Sequence, residues 1–146
     1  MNKEKRFIEI FSGLQRNFGV ANLKKLSIDP STGKARPVYG WAHREINDQD
    51  YLDHLNGRQS IGIQPCDDKG MAQFGAIDID DKQHSYSNFP YKKYLDIISE
   101  HKLPIVPVKS KSGGLHLYLF VKEKIRAVAK KFFRRVITYI KTSKQY

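Results

Sequence analysis

The sequence is short of several things, and each shortage removes a class of explanation. A single cysteine, Cys66, in 146 residues excludes an internal disulfide and any zinc site built on several cysteines, which fits a reducing compartment. No stretch approaches the roughly 18 to 20 apolar residues that a membrane helix needs, and MNKEKRFIEI opens on an amphipathic pattern where a secretory signal would carry an apolar block. The expectation is a soluble, unexported protein with no membrane partner. Repeats and low-complexity tracts are also lacking. Acidic residues are scarce in one region only: residues 91–146 hold 3 Asp+Glu against 14 Lys+Arg, whereas residues 1–90 hold 12 of each. The whole net charge of +11 therefore falls in the last part of the chain. A one-sided basic field favours polyanions, nucleic acid foremost; a solvated lysine-rich face is the plainer alternative.

What is present suits one compact domain, since 40% hydrophobic and 12% aromatic residues supply a core and exclude disorder of the whole chain. Phe7, Phe11, Leu14 and Phe18 recur at helical spacing and predict a helix over about 3–17, ending near Gly19. SIDPSTGKARP, residues 27–37, reads as an exposed loop. Asn47 or Asp48 can cap a short helix carrying Tyr51, Leu52 and Leu55, which Asn56-Gly57 ends. SIGIQPC, then Asp67-Asp68-Lys69-Gly70, then AQFGAIDID predict a hairpin with strands near 60–65 and 72–80. Tyr91, Tyr94, Leu95 and Ile98 mark a helix to about His101, IVPVKS a second strand, Gly113-Gly114 a tight turn and LHLYLFV a third strand. Ile125, Ala129, Phe132, Phe133, Val136, Ile137 and Ile140 keep helical period in a final helix, with Lys130, Lys131, Arg134 and Arg135 largely outside the stripe. Those four cations either track the phosphates of a nucleic-acid strand or face water.

From residue 72 the order is strand, helix, strand, strand, helix, which lacks one strand of βαββαβ, the split βαβ or RRM-like arrangement. The fold class expected is α+β: an RRM-like unit over 58–146, its final strand apparently missing, after an N-terminal helical and hairpin extension over 1–57. Together these form a single domain. A fragment, a three-stranded sheet, or a strand supplied by another segment would each account for the missing member.

Two clusters carry chemistry. Asp78 and Asp80 lie two apart at the end of an apolar strand, so their side chains leave the same face. Adjacent carboxylates repel one another, and a divalent cation such as Mg²⁺ or Mn²⁺ relieves this; an ordinary solvated strand end is the alternative. Lys109, Ser110, Lys111, Ser112, Gly113 and Gly114, followed by His116, combine flexible backbone, hydroxyls and charge in a way that suits a phosphate chain. The same residues also serve as a plain hairpin turn. In a βαββαβ sheet the first and third strands are antiparallel neighbours, so Asp80 and His116 are expected close together, with Asp78, Asp80, His116 and Tyr118 on the open face. Tyr39, Trp41 and Phe89 suit either stacking on bases or, more commonly, a core. His43, His54, His84 and His101 show no metal-ligand spacing and read as surface residues.

The order AIDID, about thirty residues, then SKSGGLH and an apolar strand resembles the archaeo-eukaryotic primase superfamily. The chain from about 7 to 140 is also similar to the primase domain of the TOTE conflict systems and related phage or plasmid primases, through Phe7, Phe11 and Gly13, Trp41, and HLNGRQSIGIQP leading to the Asp78/Asp80 strand. The resemblance implies a template-directed nucleotidyltransferase using a two-metal Mg²⁺ or Mn²⁺ centre and a (d)NTP. On that basis Asp78 and Asp80 would hold metal, and His116, Ser112 and Ser110 would contact the triphosphate, with Lys109 and Lys111 assisting. It further implies single-stranded or primer-template nucleic acid as partner, a helicase or completing subunit, and a cytoplasmic or nucleoid setting in a phage, plasmid or other mobile-element context. The family carries a third metal-binding carboxylate on a later strand; after His116 only Glu123 follows, at the far end of its strand. A catalytically inactive nucleic-acid-binding module, or a partial primase completed by another chain, is the alternative.

Overall fold

The structure is a computed structural model that describes residues 2–31, 33–80 and 88–126. It divides into two compact units, Met1–Gly70 and Met71–Tyr146. Among the described residues there are three helices and two three-stranded antiparallel sheets, a mixed α/β architecture. No helix among them is long and apolar enough to cross a membrane.

The first unit opens with α1 (Lys3–Ile10), where the Asn2 side chain accepts from the Glu4 N–H at 3.0 Å, satisfying one of the free amides of the first turn. The helix expected to reach residue 17 stops here. A Cβ at Gly13 would stand 2.1 Å from the Gln64 carbonyl oxygen, and the Leu14 N–H donates to that same oxygen at 2.9 Å. Only glycine permits this backbone approach, and it turns the chain out of helix into β1 (Arg16–Ile28). Phe18 is thus a strand residue, 1% exposed, in a core with Ile46 and Tyr51. Phe7 and Val20 pack on the same core from α1 and β1. The helical spacing of Phe7 and Phe18 arises from two elements converging on one cluster.

The expected loop over 27–37 is narrower than its sequence signals, because both of its ends are strand. β2 (Ala35–Glu45) pairs with β1 out to Ile28↔Ala35. Only the tip turns: the Asp29 carboxylate accepts from the Ser31 N–H and hydroxyl, and Gly33, at φ +65°, donates to the Asp29 carbonyl at 2.8 Å. α2 (Asp48–Leu55) forms as expected, with Asn47 and Asp50 completing a reciprocal capping box. Arg44 clamps Asp50 at 2.6 and 2.7 Å.

β3 (Ser60–Gly62) and β4 (Met71–Ile79) do not form the expected hairpin. β3 pairs with β1 and completes the order β2-β1-β3, whereas β4 belongs to the second sheet. Short strands joined by a turn-rich segment look alike whether they pair together or apart, and here Ile61 goes to the Phe18 core.

In the second unit β4, α3 (Tyr91–Glu100), β5 (Ile105–Lys109) and β6 (Leu115–Arg126) form a sheet of order β4-β6-β5. Leu115 and Leu117 face α3 and join Ile97 in a core onto which Ile77, Ile79, Tyr94 and Ile98 also pack. Ile97 is the buried residue of α3, and Leu95, expected in the stripe, is 45% exposed. Phe89 packs on this cluster, its ring 4.7 Å from that of Tyr91, which fulfils the core alternative for that residue. Ile125, assigned to the final helix, lies in β6 opposite Ala72. The rest of that helix, with Lys130, Lys131, Arg134 and Arg135, and also His84, lie outside the described residues.

Candidate functional site

Strand alternation sorts the second sheet into two faces. With Leu115, Leu117 and Leu119 turned to the core, His116, Tyr118 and Phe120 leave the opposite face of β6. Register carries the same rule across the sheet: Asp78, His116 and Val108 form one row, and Ala76, Tyr118 and Val106 the next. Asp78 and His116 are therefore direct cross-strand partners. His116 Nε2 lies 3.3 Å from Asp78 Oδ1, with the two side chains 36% and 61% exposed. The Tyr118 ring stands edge-on to His116 at 6.1 Å and stacks on Phe120 at 5.9 Å. Burial and the nearby negative charge of Asp78 push the Tyr118 phenol above its ordinary pKa.

Asp80 follows β4 and meets the turn between β5 and β6. A Cβ on Gly114 would lie 2.6 Å from the Ile79 carbonyl oxygen, 3.0 Å from Asp80 Oδ1 and 3.2 Å from Ser110 Oγ. Gly114 is thus the point at which the acidic strand end, the carboxylate of Asp80 and the Ser110 hydroxyl converge. The turn is closed by bonds from the Ser110 N–H to the Gly114 carbonyl at 2.9 Å and from the Gly113 N–H to the Ser110 carbonyl at 3.1 Å. The Gly113 amide is therefore spent inside the turn. The glycines serve different ends, Gly113 for its φ of +100° and Gly114 for close approach. Ser110 is buried, and its hydroxyl meets that of the exposed Ser112 at 3.1 Å.

The two lysines separate. Lys111 is exposed in the turn, whereas Lys109 sits on the helix side of β5, its Nζ 5.5 Å from the centroid of the Tyr91 ring. Tyr91 reads from the sequence only as a helix marker, yet its hydroxyl donates to the Gly113 carbonyl. It thus ties the start of α3 to the turn. One aromatic among eight tyrosines carries no sequence signal for such a role.

Asp78, Asp80, His116, Ser110, Ser112 and Lys111 are brought to one end of the sheet. Among the described residues no group of three or more His, Cys, Asp and Glu could hold a metal ion. Asp78 and Asp80 suit Mg²⁺ or Mn²⁺ only if water or substrate oxygens supply the remaining ligands, as is usual for Mg²⁺. Asp68, in the first unit, is taken by Arg16 at 2.6 Å. His43 is exposed and lies 3.3 Å from Asn17 Oδ1. His54, expected at the surface, packs on Phe7 and has a buried Nδ1. Trp41 and Tyr39, for which a core place was the commoner expectation, are 58% and 71% exposed.

No curated protein matches the chain. The family model of the TOTE conflict system archaeo-eukaryotic primase domain matches residues 21–146, beginning after the Phe7, Phe11 and Gly13 pattern and including the whole site just described. A family match over all but the first twenty residues, with its acidic strand and Ser-Gly-Gly-x-His turn meeting in space, means that the chain belongs to the archaeo-eukaryotic primase domain family of the TOTE conflict systems.

Proposed function

We propose that this chain is a single primase-polymerase-like domain that binds a (d)NTP at the open face of the β4-β6-β5 sheet and adds it to a nucleic-acid 3′ end. The family implies a nucleic-acid substrate and generally uses divalent metals. The observation that carries the reading is the direct register of Asp78 with His116, 3.3 Å apart, beside a turn that holds Asp80 and Ser110 around Gly114. The strand order β4-β6-β5, first, third, second, is also that of three strands of an RRM-like sheet.

Asp78 and Asp80 would hold the divalent cation, which when bound would supply charge neutralisation to the triphosphate and a lowered pKa to the attacking hydroxyl. His116, Ser112 and Lys111 contact the phosphate oxygens, while Ser110 and Lys109 shape the turn from beneath. The 3′-hydroxyl releases its proton to solvent water as its oxygen bonds to the α-phosphorus, the α–β anhydride breaks, and pyrophosphate carries away the displaced electron pair. His116 has two partners in this scheme: the Asp78 carboxylate before substrate arrives and a phosphate afterwards. Placement and electrostatics do the rest. Lys130, Lys131, Arg134 and Arg135 contribute contacts to the nucleic-acid backbone.

A second reading has its own observation. With no cluster of three or more such ligands among the described residues, a domain that binds nucleotide and nucleic acid without synthesis accounts for the same geometry. Calorimetric titration with a nonhydrolysable dNTP, in Mn²⁺ and in chelator, separates these readings from failure. Metal-dependent binding that is lost in Asp78→Ala and in His116→Ala supports the site, and primer extension by the same protein then decides between enzyme and binding module. Absence of nucleotide binding under every condition overturns both.

A further inference from the structure

The outer face of the first sheet holds an apolar groove that nucleotide transfer does not use. Register places Trp41, Gly19 and Gly62 in one cross-strand row and Tyr39, Ala21 and Ser60 in the next. In the first row two of three positions carry no side chain, so the Trp41 indole stands at the edge of a bare backbone floor. The resulting groove measures about 380 Å³, within the range of small-molecule sites. A Cβ added to Gly19 or to Gly62 would meet only the backbone of the other, at 3.6 Å or more, so the floor is not closed by tight packing. Phe18, Val20 and Ile61, from the alternate positions, face the core beneath.

Three features say what fits. Tyr39 and Trp41 are two apart on one strand, so their side chains leave the same face about 6.7 Å apart, room for one planar ring about 3.4 Å thick between them. Both are well exposed, at 71% and 58%, and an exposed aromatic pair beside a flat floor suits a flat ligand better than the branched side chains of a protein partner. Charge decides the rest: of the six Lys and Arg in the hairpin from Arg16 to Glu45, Arg16, Arg36 and Arg44 are held by Asp68, Asp29 and Asp50, and the positive field comes from its lysines. Lys24 and Lys25 are exposed along it. Planar rings strung on a polyanion are single-stranded nucleic acid.

We infer that the Trp41–Tyr39 groove, with the basic β1–β2 hairpin, is a stacking site for the bases of single-stranded nucleic acid. Its premise that the ligand is a nucleic acid rests on the family, but it does not depend on nucleotide transfer at Asp78 and His116. Backbone phosphates meet the hairpin lysines while a base enters between the rings, which binds any sequence because every base has a π face.

Trp41 is the only tryptophan, so tryptophan fluorescence reports on this groove alone. The test titrates the full chain with a single-stranded dT oligonucleotide and, separately, with inorganic polyphosphate. Saturable quenching by the oligonucleotide, weakened by salt and absent with polyphosphate, is expected. Tyr39→Ala and Gly62→Val, which remove one ring or fill the floor while keeping the reporter, should weaken it about five- to a hundredfold. Trp41→Ala, followed by anisotropy of a labelled oligonucleotide, should do the same. Circular dichroism verifies that each variant is folded. Asp78→Ala should leave the quenching unchanged, so failure of the nucleotide site and failure of this one are told apart. Equal quenching by polyphosphate, or variants that bind as tightly as the original, overturns the inference. Concentration-dependent dimerisation abolished by Trp41→Ala would assign the groove to a second copy and overturn it as well.

Discussion

Gly114→Ala is the sharpest test of how the proposed nucleotide site is assembled. The added methyl would lie 2.6 Å from the Ile79 carbonyl oxygen, where real contacts stay beyond 3.0 Å. That oxygen belongs to the backbone of β4 and cannot rotate away. Either β4 or the turn must give by several tenths of an ångström, and Asp80 Oδ1 at 3.0 Å and Ser110 Oγ at 3.2 Å crowd the remaining directions. Overpacking of this kind costs about 1–3 kcal/mol. Replacing glycine also stiffens the unfolded chain, which returns about 0.4–1 kcal/mol, so the net loss expected is about 1–2 kcal/mol. Urea denaturation should show a lower midpoint at unchanged slope. Nucleotide affinity, measured without denaturant at a temperature where the variant is fully folded, should fall further than stability, because the displaced atoms are those that gather Asp80 and Ser110. A variant with wild-type stability and wild-type metal-dependent dNTP binding would refute the close approach and the site built on it.

Two other perturbations probe the supports. Tyr91→Phe keeps the ring beneath Lys109 and removes only the hydroxyl that donates to Gly113; it should cost about 1 kcal/mol in thermal or urea unfolding and weaken dNTP binding severalfold, and an unchanged affinity would show that the turn holds itself. In the first unit the Arg44 guanidinium holds the Asp50 carboxyl down at about 2, from 3.8, aided by the Asn47 N–H and Gln59 and opposed by burial. Because the folded value is the lower one, this carboxylate's contribution is fully present above about pH 4 and fades as pH falls towards 2. Acid unfolding followed by circular dichroism should therefore show Asp50→Asn less stable than the original at pH 7, with the difference shrinking between about pH 4 and pH 2. A difference constant with pH would exclude the ion pair as its source.

The site was legible because its parts are local. Asp78-Ile-Asp80 on an apolar strand and Ser-Gly-Gly-Leu-His before another specify faces by alternation alone, and a helix crossover to β5 followed by the β5–β6 hairpin sets β4 and β6 antiparallel. The register that sets Asp78 opposite His116 agreed with that expectation within two residues. Capping of α2 by Asn47 was legible for the same reason, since a cap and its first turn are contiguous in sequence. The rest of the first unit was not. Phe7, Phe11, Leu14 and Phe18 have helical spacing, yet Gly13 meets Gln64, fifty-one residues away, and no local pattern encodes that contact.

Composition, alternation and short-range capping are properties of the chain itself, so the sequence alone determined the α3–β5–β6 succession, the open face carrying Asp78 and His116, and the family. Which strands pair, and which side chains end up covered, depend on partners distant in the chain. Tertiary structure alone therefore sent β3 to β1 instead of β4, placed the Tyr91 hydroxyl on Gly113, locked one glycine amide inside the turn, and left Trp41 and Tyr39 at the surface. Hydrophobic burial rewards any partner that covers apolar area; long-range packing decides which partner that is, and which aromatics are left exposed.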